Sequence, residues 1–185
     1  MGFKSDGEQY FTSVSHTLKK NKIWPDIVAN SDKIVHLLDM CGHQKYLKTT
    51  THGLTSLFPD YVLLIVGANM GVSNMTREHL QIARALDLPL IVLLTKIDLA
   101  PAHIYKENLQ TIGKILKEFC GKVPILVKPE SDISKIAGKM LTGKICPIFS
   151  ISNQTGEGIP QLRKFIGSLE NPVLAKVDEK KGINT

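Results

Sequence analysis

Cysteine is scarce in this chain: Cys41, Cys120 and Cys146 are the only three in 185 residues, and no two stand in C-x-x-C spacing. An odd number of widely separated thiols supports neither a disulfide framework nor a zinc site, so all three read as reduced thiols. Long apolar runs are also missing. No uninterrupted stretch approaches the roughly 20 residues that a membrane helix requires, and Lys4, Asp6 and Glu8 stand where a signal peptide would place its apolar core. Met1-Gly2 opens like a myristoylation signal, but Asp6 occupies the position where Ser or Thr is wanted. These absences predict a soluble, cytoplasmic protein without a membrane partner. There is no internal repeat and no low-complexity tract. What is present, 43% hydrophobic and 22% charged residues, is a globular composition near the length of one domain, which excludes a fibrous or wholly disordered chain.

Acidic residues are outnumbered, 17 against 23 Lys and Arg, for a net charge of +6. The excess gathers in the second half, at Lys114, Lys117, Lys122, Lys128, Lys135, Lys139 and Lys144. A positive balance favours phosphate-bearing partners because binding releases condensed counterions. Such a run is more often a solvated face than an RNA site, so charge alone names no partner, and DNA is not expected.

Short β-branched runs alternate with amphipathic stretches, which predicts a parallel sheet covered on both faces. The predicted strands are 33–38, 61–67, 88–95, 123–128 and 145–151. Helices are predicted over 45–57, 76–86, 104–119 with Pro101 as a start signal, and 161–169, with Thr76 as the cap of the second. The first of these carries Thr49, Thr50 and Thr51, which lose χ1 freedom in a helix, so tertiary contacts should hold it and rearrangement should be easy. Between Lys4 and Asn30, Gly7 and Pro25 act as breakers, and at most an edge strand near Tyr10 to Val14 is expected. Residues 129–143 read as a surface excursion and 171–185 as a polar tail or linker following a domain over 1–170.

In an open α/β sheet, ligands bind beyond the carboxyl ends of the strands. Three such ends carry chemistry: D-M-C-G-H (Asp39 to His43), T-K-I-D (Thr95 to Asp98) and S-N-Q-T-G-E-G (Ser152 to Gly158). Each alone has a bland alternative. An aspartate there caps helices, His43 suits a solvent-facing loop, Lys96 an exposed strand end, and Ser152 and Asn153 simple turns. In this order and about 55 residues apart they are far more specific, and together with D-M-C-G-H-Q-K-Y-L-K-T-T and C-P-I-F-S-I-S-N-Q-T-G-E they resemble the guanine-nucleotide-binding domain of translational GTPases. The resemblance runs from about Lys33 to Leu169 and is nearest the GTP-binding protein 1 and 2 branch, relatives of elongation factor Tu and elongation factor 1-alpha.

The resemblance implies an α/β, three-layer, P-loop-NTPase-like G domain with a mostly parallel sheet, binding GTP or GDP with Mg²⁺. It places Asp39 in the Mg²⁺ shell through water, since Mg²⁺ keeps several waters. It gives Gly42 a backbone N–H for the γ-phosphate and His43 the catalytic task of orienting the hydrolytic water. Asp98 would accept from N1–H and the exocyclic amine of guanine, a donor pair that adenine lacks. Lys96 would lay its stem over the purine. Ser152 and Asn153 match the loop whose side chain supports that aspartate and whose backbone N–H meets the guanine oxygen.

Two departures qualify the resemblance. Thr95 stands where most relatives have asparagine, and a hydroxyl cannot replace an amide's paired donor and acceptor. No phosphate-binding loop G-x-x-x-x-G-K-[ST] precedes Asp39. The near match Gly138 to Ile145 has Ile145 in place of the Mg²⁺-binding hydroxyl and sits before a strand where it should follow one. The switch threonine is also unplaced, Thr12 and Thr17 lacking context, so the chain reads as beginning just after the switch, without the phosphate-loop strand and first helix. Either the two flanking strands, ending at Asp39 and Gly67, then pair directly or a sheet edge is left with unpaired backbone groups, and marginal stability is expected. Functionally, the sequence predicts GTP binding and an impaired GTPase, or alternatively a non-catalytic interaction module docking on a ribosome, RNA or protein partner.

Overall fold

The computed structural model describes residues 1–12, 20–129 and 131–172. The chain opens with a small antiparallel sheet in which β1 (Gly2–Phe3) lies between β2 (Gln9–Tyr10) and, later in the chain, Lys33–Ile34. The edge strand expected near Tyr10 is β2; Ser13, Val14 and Thr17 lie outside the described residues. α1 (Lys20–Ala29) was not predicted, because Pro25 removes an N–H from its interior ladder. It is held from outside instead. The Tyr10 and Thr12 hydroxyls donate to the Asp26 carboxylate at 3.1 and 2.5 Å, and Trp24 stacks on His36 with ring centroids 5.4 Å apart.

The predicted strand 33–38 shrinks to β3 (Lys33–Ile34), which pairs with β1 and not with the parallel sheet. Val35 still donates to the Met1 carbonyl, but Leu37 and Leu38 are exposed and meet no partner strand among the described residues. The Lys33 ammonium donates to the carbonyls of Ile166, Gly167 and Leu169, fastening this sheet near the end of the last helix. Burial holds the Lys33 pKa below its ordinary value.

A 3₁₀ turn (Gln44–Tyr46) leads into α2 (Leu47–Leu57), then β4 (Val62–Gly67), α3 (Asn74–Ala85), β5 (Leu90–Thr95), α4 (Ala102–Glu118), β6 (Val123–Leu126), α5 (Ile133–Gly138), β7 (Ile145–Ser150) and α6 (Ile159–Ser168). β4, β5, β7 and β6 form a parallel sheet in that spatial order. Alternate residues of β5 serve opposite faces. Leu90, Val92 and Leu94 pack with Leu80, Ala83, Ile112 and Leu116 of α3 and α4, while Ile91 and Leu93 pack with Ile133, Ala137 and Phe165 of α5 and α6. The result is the expected three-layer α/β arrangement.

The caps refine the sequence reading. Ser73, not Thr76, caps α3: the Thr76 amide donates to its hydroxyl at 3.1 Å, and the Ser73 amide donates in return to the Thr76 hydroxyl at 3.3 Å. α5 interrupts the stretch read as a surface excursion, with Asp132 accepting from the Lys135 amide at 3.1 Å. The Gly138 to Ile145 segment ends α5, makes a 3₁₀ turn and enters β7, so it is no phosphate loop opening a helix. β4 forms one edge of the parallel sheet. Val62 and Ala68 donate toward β5, at 2.9 and 2.7 Å, so the odd residues Leu63 and Ile65 direct their N–H and C=O to the open side.

Candidate functional site

The carboxyl ends of β5 and β7 are neighbours, with Leu94 in register with Ser150, and they bring two of the three sequence segments together. Ile151 donates to the Leu94 carbonyl at 2.9 Å, and Ile97 donates to the Ile151 carbonyl at 3.5 Å. Thr95 therefore stands beside the segment leading to Ser152. Its hydroxyl donates to the Val66 carbonyl at 3.4 Å, toward β4 and away from β7. Lys96 takes a left-handed backbone at φ 58°, a conformation that costs a non-glycine residue roughly 1 kcal/mol and turns the chain sharply out of the sheet. The turn sets Lys96 and Asp98 in solvent, and neither makes an ion pair among the described residues. A carboxylate exposed and unpaired in this way is free to accept donors from a ligand.

Ser152 is fully buried. Its N–H donates to the Glu157 carbonyl at 3.0 Å, its carbonyl accepts from Gly156 at 2.9 Å, and its hydroxyl accepts from the Thr155 amide at 3.2 Å. These bonds wind residues 152–158 into a compact loop. Asn153 is exposed beside it, and no described acceptor takes its N–H. Ser152 thus builds the loop, and Asn153 presents a backbone donor to solvent.

Asp39, Gly42 and His43 lie elsewhere, on irregular backbone entering α2. No described hydrogen bond, ion pair or ring contact joins them to the loops after β5 and β7. All three are exposed. Nothing lies within 4 Å of the position a Gly42 Cβ would take, so the backbone there is open to a ligand. His43 Nδ1 accepts from the Lys45 amide at 3.1 Å and caps the 3₁₀ turn, which in the neutral ring leaves the proton on Nε2. The Thr50 hydroxyl donates to the Cys41 carbonyl at 2.7 Å, and the Met40 side chain lies against Gly53, so this segment is anchored to α2. Those are the tertiary contacts that the threonine-rich helix was expected to need.

Among the described residues no group of three His, Cys, Asp or Glu side chains is gathered to hold a metal ion. Within the Asp39 to His43 segment the carboxylate is that of Asp39, and it is exposed. That donor set suits a magnesium ion held through water and by the phosphates of a nucleotide, not one caged by the protein.

Some contributors escaped the sequence reading. The Tyr105 hydroxyl lies 2.9 Å from the Ser150 hydroxyl, and Asn108 Nδ2 donates to the Ala68 carbonyl at 2.7 Å at the end of β4. Tyr105 was visible only as part of the apolar stripe of α4. Of the seven lysines from Lys114 to Lys144, six are exposed, whereas Lys122 is buried and donates to the Gly143 carbonyl at 2.7 Å.

An α/β layer with functional loops at the carboxyl ends of its parallel strands is the architecture of a nucleotide-binding domain. The sequence profile of the elongation factor Tu GTP binding domain matches residues 8–172. The chain is 44% identical over 147 residues to GTP-binding protein 1 of Xenopus laevis, covering 79% of this chain and 22% of the relative. It is 36% identical over 182 residues to human GTP-binding protein 2, covering 97% of this chain and 29% of the relative. Among solved structures, translation elongation factor SelB of Methanococcus maripaludis, in complex with the GTP analogue GPPNHP, aligns over 69% of this chain and 23% of its own. The TM-score of 0.52 at 24% identity speaks for a shared fold. The chain belongs to the elongation factor Tu-type GTP-binding domain family, and it spans less than a third of the length of these relatives.

Proposed function

We propose that this chain binds guanine nucleotide at the carboxyl ends of β5 and β7, with Asp98 and Lys96 holding the base. One observation carries the reading: in a member of this family, the turn Thr95 to Asp98 and the loop opened by Ser152 are tied at one sheet end, with an unpaired carboxylate set out in solvent. Asp98 would accept from N1–H and the exocyclic amine of guanine. Lys96 would cover the ring with its stem, and the Asn153 amide would meet the guanine oxygen. Asp39 and Gly42 would serve the phosphate side, with Mg²⁺ when bound neutralising phosphate charge. His43 would orient the water that attacks the γ-phosphate, its Nδ1 engaged by the Lys45 amide and its Nε2 without a hydrogen-bond partner among the described residues. The reaction is hydrolysis of GTP to GDP and phosphate. The residues in hand supply no lysine-bearing glycine loop for the phosphates, so we propose that this 185-residue chain binds GTP weakly and turns it over negligibly. A translation-related role in the cytoplasm, with ribosome or RNA as partner, belongs to the same proposal and is supported by the likeness to translation factors.

The test is a titration with fluorescent GDP and GTP in Mg²⁺ beside Asp98→Asn. Binding that shifts from guanine toward xanthine nucleotide in the variant supports base reading by Asp98. No binding below about a millimolar sinks it and favours an interaction module, which salt-sensitive, nucleotide-independent co-sedimentation with ribosomes would register. Robust single-turnover hydrolysis by the chain would overturn the prediction of negligible activity.

A further inference from the structure

We propose that Tyr105 is a positioning residue for the base-reading loop, acting through Ser150. The proposal rests on the reading of the strand-end loops given above and adds a residue to it. Ser150 is the last residue of β7 and is held from three directions. Its backbone is in register with Leu94. Its carbonyl oxygen lies so close to Gly158, at φ 73°, that a Cβ there would overlap it. Its hydroxyl meets the Tyr105 hydroxyl at 2.9 Å. Gly158 closes the loop that Ser152 opens, so the placement of Ser150 sets both ends of that loop.

On the β5 side, Thr95 has one hydroxyl, and it is turned toward Val66. The link from the Thr95 to Asp98 turn to the end of β7 is otherwise main-chain and long, Ile97 to Ile151 at 3.5 Å. Tyr105 supplies the missing side-chain tie. It sits in the first turn of α4, its amide donating to the Pro101 carbonyl at 2.9 Å, a few residues beyond Asp98. Its ring is packed against the core formed by α3, α4 and the sheet, so the hydroxyl is presented with little freedom left to lose. One hydrogen bond thereby joins the element that follows Asp98 to the strand that leads into Ser152 and Asn153.

The test has two readouts on Tyr105→Phe, Ser150→Ala and the double variant. The first is amide hydrogen exchange of the nucleotide-free chain. Ser152, Thr155 and Gly156 donate the bonds that close the loop, and each should exchange about fivefold faster in either single variant, what losing one ordinary hydrogen bond permits. The double variant should be no worse than a single one, and the β5 amides should be affected no more than those of the loop. The second is the ratio of affinities for GDP and inosine diphosphate, which lacks the exocyclic amine. It should fall several-fold in Tyr105→Phe, measured at a temperature where every variant is fully folded. Unchanged loop exchange overturns the proposal, and so does faster exchange with an unchanged ratio, since that describes a merely structural tyrosine. If the wild-type chain binds neither nucleotide, the base-reading proposal fails, while the exchange data still decide whether Tyr105 holds the loop.

Discussion

The three cysteines sit in three environments, and their chemistry should separate accordingly. Cys41 is exposed inside the Asp39 to His43 segment, Cys120 is partly buried, and Cys146 is enclosed in the core, where burial pushes its thiol up to about 12. With a thiol reagent at neutral pH, Cys41 should react first and Cys146 only on unfolding, because the thiolate is the reactive form. Saturating nucleotide should slow Cys41 if the phosphates lie over Gly42; an unchanged rate would place them elsewhere. Tyr61 offers a second residue-scale reading. Its hydroxyl donates to the Glu170 carbonyl at 2.7 Å, and burial, then Asp60 and Glu170, raise its pKa to about 12. A raised folded-state value means that the contribution to stability is whole below pH 10 and is lost as pH climbs through about 12. The alkaline loss of stability should therefore be shallower in Tyr61→Phe, which calorimetry between pH 9 and 11 would show. At this scale the sequence displayed Asp98, Lys96 and His43 because their spacing is a motif. It concealed Tyr105, because a tyrosine on an apolar stripe looks like core until its hydroxyl is seen to find Ser150.

Elements were legible where period and length agreed. β4, β5, β6 and β7 stand close to the predicted runs, and β5, buried on both faces, is continuous in Val, Ile and Leu. α4 was legible because seventeen residues give its stripe time to repeat. The six residues of α5 are too few for a period, and α1 contradicts its own proline. Both exist through tertiary contacts that a single sequence does not display. β3 shows the converse, since KIVHLL reads as a strand but only its first two residues are strand, with Val35 still bonded to Met1. At α3 the reciprocal bonds of Ser73 and Thr76 are a local device with a measurable share. Ser73→Ala should lower unfolding stability by about 1 kcal/mol, the usual cost of a lost cap. Denaturant titration would check it, and a change within error would mean that packing alone fixes this helix start. At α5, the side-chain and backbone bonds to Lys135 hold the Asp132 pKa below its usual value. The stabilisation by Asp132 should be full above pH 4 and fade as pH falls through its lowered folded value, a fade that Asp132→Ala would lack.

Across the whole molecule, net charge and the open sheet edge oppose one another. β4 presents backbone groups of Leu63 and Ile65 that no strand among the described residues pairs, together with an Ile65 side chain 64% exposed, and residues 61–69 carry no charge and no proline. None of the usual guards of an edge strand is present in that stretch. Met70 and Phe58, 84% and 82% exposed, add apolar surface to the same molecule. Against this stands a charge of +6, which keeps copies apart at long range and is screened once the Debye length falls to a few ångströms. The chain should stay dispersed at low ionic strength and associate as salt rises, in a concentration-dependent way that light scattering would follow. Ile65→Lys places a charge on the exposed side of the edge strand, where it should cost little stability. It should suppress the salt-driven association while leaving the folded signal of the parallel sheet intact. Were Ile65→Lys to associate as readily as the wild type, the β4 edge would not be the seat of association, and the exposed apolar residues around α1 and α2, Trp24, Val28, Leu57 and Phe58, would be the next to replace.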